Sequence, residues 1–163
     1  MIIRPLIKED WPEVARIYQE GMDTGEATFE TKVPDWETWE MNHPEDRRLV
    51  AVEKDQIIGW VSLSPVSHRP VYRGVSEVTV YVDKHHWGKG VGKRLLSNIV
   101  TLSESLGIWT LQAVIFPENY TSVQLHQQYG FREVGRREKI GQRNGIWRDT
   151  VLLERRSRFV EWK

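Results

Sequence analysis

Residues 77–106 confine this chain to a narrow set of folds. "EVTVYV" at 77–82 alternates, with Val78, Val80 and Val82 on one side and Glu77, Thr79 and Tyr81 on the other, which is the period of a strand. "HHWGKGVGKRLL" follows at 85–96 and places glycines at 88, 90 and 92. Val91, Leu95, Ile99, Leu102 and Leu106 then recur at helical spacing up to Gly107. Glycine is costly inside a regular element, so three of them where a helix begins need a reason. A strand, a glycine turn and a helix, in that order, suit an anion. The backbone can approach a ligand closely, and the helix N-terminus offers free N–H groups and the positive end of its dipole. Lys89, Lys93 and Arg94 add charge beside it. Read alone, the same pattern also fits a plain glycine turn with solvated lysines.

Spacing excludes two familiar phosphate loops. A dinucleotide fingerprint needs a glycine three residues after Gly90, where Lys93 stands. A P-loop needs four residues between its glycine and a Gly-Lys-Ser/Thr, and the chain has no such sequence.

The rest of the chain reads as one domain over residues 1–163, without repeats or linkers. A short strand fits 2–4 and a helix fits 11–21, with Asp10 as its cap, Pro12 in its first turn and Gly21 at its end. A loop, "DTGEATFETKVP", leads to a short helix near 35–42. "RLVAVEKDQIIGWVSLSPV" reads as a hairpin, and "PVSHRPVYRG" as a loop. After the glycine segment come a strand at 110–115 and a helix from Asn119 to about 128. Two strands, 131–140 and 146–155, close around Asn144-Gly145. The order β-α-α-β-β-β-α-β-α-β-β predicts a mixed α/β domain. It is not a doubly wound sheet, because strands cluster early and late.

Composition narrows the function classes. Lys+Arg and Asp+Glu are both 23, so the formal net charge is zero. That argues against a general nucleic-acid binder, whose affinity rests on neutralising phosphates. There is no cysteine, which removes thiolate catalysis and sulfur metal sites, and the adjacent His85 and His86 do not make a helical metal pair. We expect no metal. "MIIRPLIKEDW" resembles neither a signal peptide nor an anchor, so the expectation is a cytoplasmic protein without a membrane segment. Most of the eight tryptophans are expected to be core or half-buried packing residues.

"VTVYVDKHHWGKGVGKRLL" resembles the acyl-CoA-binding segment of the GCN5-related N-acetyltransferase superfamily, and "FPENYTSVQLHQQYGFREVG" is similar to that superfamily's second motif. "TFET", "EVTVYV", "SVQLH", "YGF" and "NGIWRD" resemble the phosphinothricin and methionine sulfoximine N-acetyltransferase branch. The resemblance implies a mostly antiparallel central sheet flanked by helices, the acyl-CoA N-acyltransferase fold. It implies acetyl-CoA as cosubstrate and a small-molecule amine, an amino-acid analogue, as acceptor. It also implies a homodimer. Residues Gly88, Lys89, Gly90, Val91, Gly92 and Lys93 would cradle the pyrophosphate. Val80, Tyr81 and Val82 would line the pantetheine arm, and Asn119, also a natural helix cap, would contact the cofactor. Phe29, Tyr72 and Arg73 would form the acceptor site, although Arg73 also reads as a solvated loop residue. Two positions depart from the pattern: Trp87 stands where the motif has Arg or Gln, and His126 where the superfamily commonly has tyrosine.

Acetyl transfer to an amine needs a base for the ammonium, a donor for the thioester oxygen and a proton for the departing thiolate. Glu77 is the base candidate: in isolation it reads as a solvated glutamate, but the resembling branch has a carboxylate there. His126 is the first candidate acid, with Tyr129 second, and a packed core histidine is the plain alternative. Polyamines, aminoglycosides or peptide N-termini are alternative acceptors. A module that holds coenzyme A without chemistry is the alternative from another class.

Overall fold

The computed structural model describes residues 1–161. In chain order it contains β1 (Ile2–Pro5), α1 (Trp11–Asp23), α2 (Trp36–Met41), β2 (Arg48–Glu53), β3 (Gln56–Pro65), β4 (Val75–Val82) and α3 (Val91–Ser105). It continues with β5 (Thr110–Ile115), α4 (Tyr120–Gln128), β6 (Arg132–Arg143) and β7 (Ile146–Arg156). The strands form one seven-stranded sheet in the order β1-β2-β3-β4-β5-β7-β6. Only β4 and β5 run parallel; the other neighbours are antiparallel. The expected order of elements and the mixed, mostly antiparallel sheet are both observed. No helix among the described residues is long and apolar enough to cross a membrane.

Both early and late hairpins turn on two residues of positive φ, Lys54-Asp55 and Asn144-Gly145, the backbone twist that joins antiparallel strands most closely. The second hairpin is longer than the sequence suggested. β6 runs on to Arg143 through a register shift between Arg137 and Gly141. Asp149 steadies that bulge by accepting the Lys139 amide at 2.8 Å and the Arg136 guanidinium.

The sheet separates two cores. On one face Val91, Leu95, Leu96 and Ile99 of α3 bury against Leu63, Val78, Leu111, Ala113 and Leu153. The buried stripe of α3 takes in Val100 and Ser103, while Leu106 is exposed. On the other face α1 and α2 cover an aromatic layer of Trp36, Trp39 and Trp60 with Leu6, Val14, Ile17, Val50 and Ile57. Trp60 lies at its centre, within 5.1–5.7 Å of Tyr18, Trp39 and Tyr81, centroid to centroid. Its Nε1–H finds no acceptor among the described residues, which costs about 1–3 kcal/mol. Burying a ring of this size, on the order of 200 Å², contributes about 5 kcal/mol, so packing wins. Arg48, also buried, ties the edge together by donating to the carbonyls of Leu6 (3.3 Å) and His43 (3.0 Å) beneath the Trp36 ring.

Two expectations for α1 are corrected. Asp10 does not cap it. Its carboxylate turns back to accept Arg4 at 2.7 and 2.8 Å and the Ile7 amide at 2.9 Å, because Arg4 offers a two-pronged charged partner. Nor does Gly21 end α1, which continues to Asp23. Gly21 is there because the Tyr81 ring lies flush against it, where a Cβ would overlap Cδ1 and Cε1.

Replacing a helical glycine by alanine ordinarily gains up to about 1 kcal/mol. For Gly21→Ala we expect the reverse, a loss of about 1–3 kcal/mol from overpacking, measured by urea unfolding. A gain in stability would show that the Tyr81 ring moves aside freely.

Candidate active site

The site grows from a fault in the sheet. β4 and β5 are paired only over Val75–Glu77 and Thr110–Gln112. Beyond that, β4 stays with β3 as far as Val82, and β5 stays with β7 as far as Ile115. The two parallel strands therefore part after Glu77 and Gln112, and a wedge opens toward their C-terminal ends. Hydrogen-bonding direction alternates along an antiparallel strand. Asp83 donates its amide to Ile58 of β3, so Tyr81 and Thr79 also face β3, while Val80 and Val82 face the wedge. The Gly74 carbonyl, which accepts from Trp109 and Thr110, sets the same direction from the other end. Val80 thus presents an N–H and a C=O to the wedge, and Val82 an N–H. An extended ligand with amides of its own can pair there as an added strand would.

Tyr81 is corrected by the same alternation. Its backbone belongs to the β3 ladder, and its ring leaves the wedge to stack on Trp60 and meet Tyr18 at 4.9 Å. Burial pushes the Tyr81 phenol up, helped by neighbouring Tyr18 and Glu30. Burial and Glu30 likewise push Tyr18 up to about 12. Both therefore stay neutral, lining the sheet face beside the Thr28–Glu30 loop.

At the mouth of the wedge, the three glycines serve two purposes. Gly88 and Gly90 have φ of +74° and +81°, and no atom lies within 4 Å of a Cβ built on either. Backbone conformation requires glycine there, and the space above remains open. Gly90 is the N-cap of α3 and its carbonyl accepts the Arg94 amide. The amides of Val91, Gly92 and Lys93 lie before the first bond of the helix and point outward. Gly92 has ordinary φ; a Cβ there would lie 3.2 Å from Leu125, so it lets α3 and α4 approach. The exposed Lys89 and Lys93 flank the cradle, which fits a pyrophosphate. The chain leading into it is anchored by Asp83, which accepts the His85 amide at 2.7 Å and Arg16 at 2.9 Å.

Trp87 turns its donor back onto the chain: its Nε1–H donates to the Val82 carbonyl at 2.9 Å, while the residue remains 57% exposed. Asn119 caps α4 by accepting the Ser122 amide at 3.2 Å, and its Nδ2 donates to the Glu26 carbonyl at 3.3 Å. It thus joins α4 to the loop after α1.

Glu77 sits at the apex of the wedge, half-buried, with Oε1 accepting Gln112 Nε2 at 2.9 Å. Gln112 was missed from sequence. The available signal was a polar residue between the apolar Leu111 and Ala113, but its meaning depends on a strand register that spacing does not reveal. His126 is only 2% exposed, with Nδ1 2.7 Å from the Ser122 carbonyl and its ring edge-on to Phe131. Burial holds its pKa below the ordinary value despite that hydrogen bond. The neutral ring then carries its proton on Nδ1, bonded within α4, which is the setting of a packing histidine rather than a proton donor.

The predicted acceptor residues do not converge. Phe29 packs on Phe116 at 4.9 Å, beyond the end of β5. Arg73 lies over Trp109 at 5.6 Å, before its start, and the exposed Tyr72 sits beneath Arg69. Trp109 and Phe116 are about 23 Å apart along an extended strand. Within one chain Phe29 and Arg73 border opposite ends of the apex rather than a single pocket.

With the wedge and cradle in view, the comparisons with known proteins carry weight. Residues 9–131 match the model of the Acetyltransferase (GNAT) family. The chain belongs to this family. It is an N-acetyltransferase, an enzyme rather than a passive binding module. It is 29% identical to a phosphinothricin N-acetyltransferase of Streptomyces coelicolor, over 94% of each chain. A phosphinothricin acetyltransferase from Sinorhizobium meliloti, solved with acetyl-CoA, superposes with a TM-score of 0.86 at 29% identity, covering 95% of this chain and 87% of that one. A ribosomal-protein-alanine N-acetyltransferase from Brucella melitensis gives 0.90 at 28%, covering 96% and 100%.

Gly90→Val should remain folded, since strain at one residue costs about 1–2 kcal/mol, and should weaken acetyl-CoA binding at least about tenfold. Calorimetry that finds unchanged affinity would detach the cradle from the cofactor. His126 makes a separate prediction. Its folded pKa lies below the unfolded value near 6.5, so below that pH the unfolded chain binds more protons. Its contribution is therefore complete above pH 6.5 and drains away as pH falls toward the folded pKa. Replacing it, as in His126→Gln, should flatten the dependence of unfolding free energy on pH below about 6.5.

Proposed function

We propose that this acetyltransferase moves an acetyl group from acetyl-CoA to the amine of a small amino-acid analogue, such as phosphinothricin or methionine sulfoximine, by direct attack without a covalent enzyme intermediate. The observation that carries this reading is the wedge with a carboxylate at its apex. It joins an extended-ligand slot and an anion cradle on one side to a polar, aromatic-walled face on the other. When bound, acetyl-CoA supplies an acetyl thioester. The chain's own groups do the rest. The amides of Val91, Gly92 and Lys93, with Lys89 and Lys93, hold the pyrophosphate. Val80 and Val82 align the arm, and a wedge-facing amide of β4 donates to the oxygen that gains charge. Glu77 takes the proton from the acceptor ammonium, directly or through water, so that the new C–N bond can replace the thioester C–S bond, and the departing thiolate would take its proton from solvent. Arg73 suits the acceptor carboxylate, because its planar fork can bind two oxygens.

Exposed Ile140, Ile146 and Trp147 on the β6–β7 hairpin support a homodimer with a second copy of this chain seated there.

The test is acetylation across amino-acid analogues, polyamines, aminoglycosides and peptide N-termini, read by thiol release and product mass. Amino-acid analogues should be preferred; preference for a peptide N-terminus would overturn the acceptor class. Glu77→Gln should keep acetyl-CoA affinity and lower kcat by about 10²–10⁴-fold. The loss should shrink at high pH, where solution already supplies neutral amine. Near-normal kcat at neutral pH in a folded variant, with chemistry rate-limiting, would remove Glu77 from the role of base.

A further inference from the structure

Glu77 and Gln112 are the last register partners of the parallel pair. Both side chains lie on the face turned toward α1, because their neighbours Val78, Leu111 and Ala113 belong to the α3 core. On its other side Gln112 is in register with Glu154 of β7, whose Oε1 accepts Arg132 at 3.4 Å. One amide thus stands between two carboxylates on neighbouring strands, and it donates to Glu77.

We propose that Gln112 is the positioning residue for Glu77. Its Nε2 fixes one carboxylate oxygen and leaves the other as the proton acceptor. The strand register sets the second carboxylate, Glu154, one strand further away. A glutamate has several staggered side-chain torsions, and at the edge of an opening sheet few packing contacts choose among them. A base that samples these rotamers is in reach of the acceptor only part of the time, and loss of such alignment is expensive in rate. An amide suits the task because it donates without titrating, so it restrains Glu77 without competing for the transferred proton. The inference rests on the reading of Glu77 as the base.

The experiment compares Gln112→Met, which keeps length but removes the donor, with Gln112→Glu, each alone and with Glu77→Gln. Acetyl-CoA affinity by calorimetry and thermal stability are measured beside kcat and its pH profile. Gln112→Met should lower kcat about tenfold with acetyl-CoA affinity intact. In the Glu77→Gln background the same change should cost less than about twofold, since the group it positions no longer acts. Gln112→Glu should move the acidic limb of the pH–rate profile to higher pH, because adjacent carboxylates resist a second negative charge. An equal loss from Gln112→Met in both backgrounds would mark a structural role and overturn the proposal. So would normal kcat in folded Gln112→Met beside a slow Glu77→Gln. A Glu77→Gln enzyme of normal kcat overturns the base, and the positioning role with it.

Discussion

The parting of two parallel strands after three paired residues organises this molecule. A sheet does not give up ladder hydrogen bonds without compensation, since backbone groups hidden from water must be paired. Here each strand keeps its other neighbour: β4 holds β3 to Val82 and β5 holds β7 to Ile115. The loss is confined to the inner edges, where water or a ligand can reach. Each parting strand is followed by a helix, and Gly92 lets those helices meet at Leu125. The sheet thus divides while the layer beneath it stays closed.

The opposite face answers a different demand. Tyr81 alternates out of the wedge into the aromatic layer, and Gly21 gives α1 room to lie on it. The residues whose backbone faces the wedge and those whose rings enter the aromatic layer therefore alternate along a single strand. A distortion of β4 would disturb both at once, and Trp60, stacked on Tyr81, resists it.

The fold was legible because its signals are local. Alternation gave β4, Asn144-Gly145 gave the last hairpin, and the apolar stripe gave α3. The cradle was legible too, since positive φ at Gly88 and Gly90 is a backbone requirement that only glycine meets cheaply. Other features depend on partners far along the chain. Asp10 was read as a cap from its position, but Arg4 competes for it. Gly21 was read as a stop, although its meaning lies 60 residues away, at Tyr81. Gln112 was invisible for the same reason: a glutamine acquires a role only when the register sets it beside Glu77. The burial of His126 and its intrahelical bond to the Ser122 carbonyl do not show in the sequence either.

The indole of Trp87 on the Val82 carbonyl has one more implication. Along a strand, outward-facing peptide groups on one edge repeat about every 6.7 Å. A ligand paired to such an edge could in principle slide by one repeat and carry its reactive carbon that far from the apex. With the outermost carbonyl already taken by the chain itself, the slipped alignment loses an acceptor that the seated one does not need. On the proposed seating of the ligand, Trp87 would act as an end stop on a ruler, converting a repetitive edge into a single measured depth.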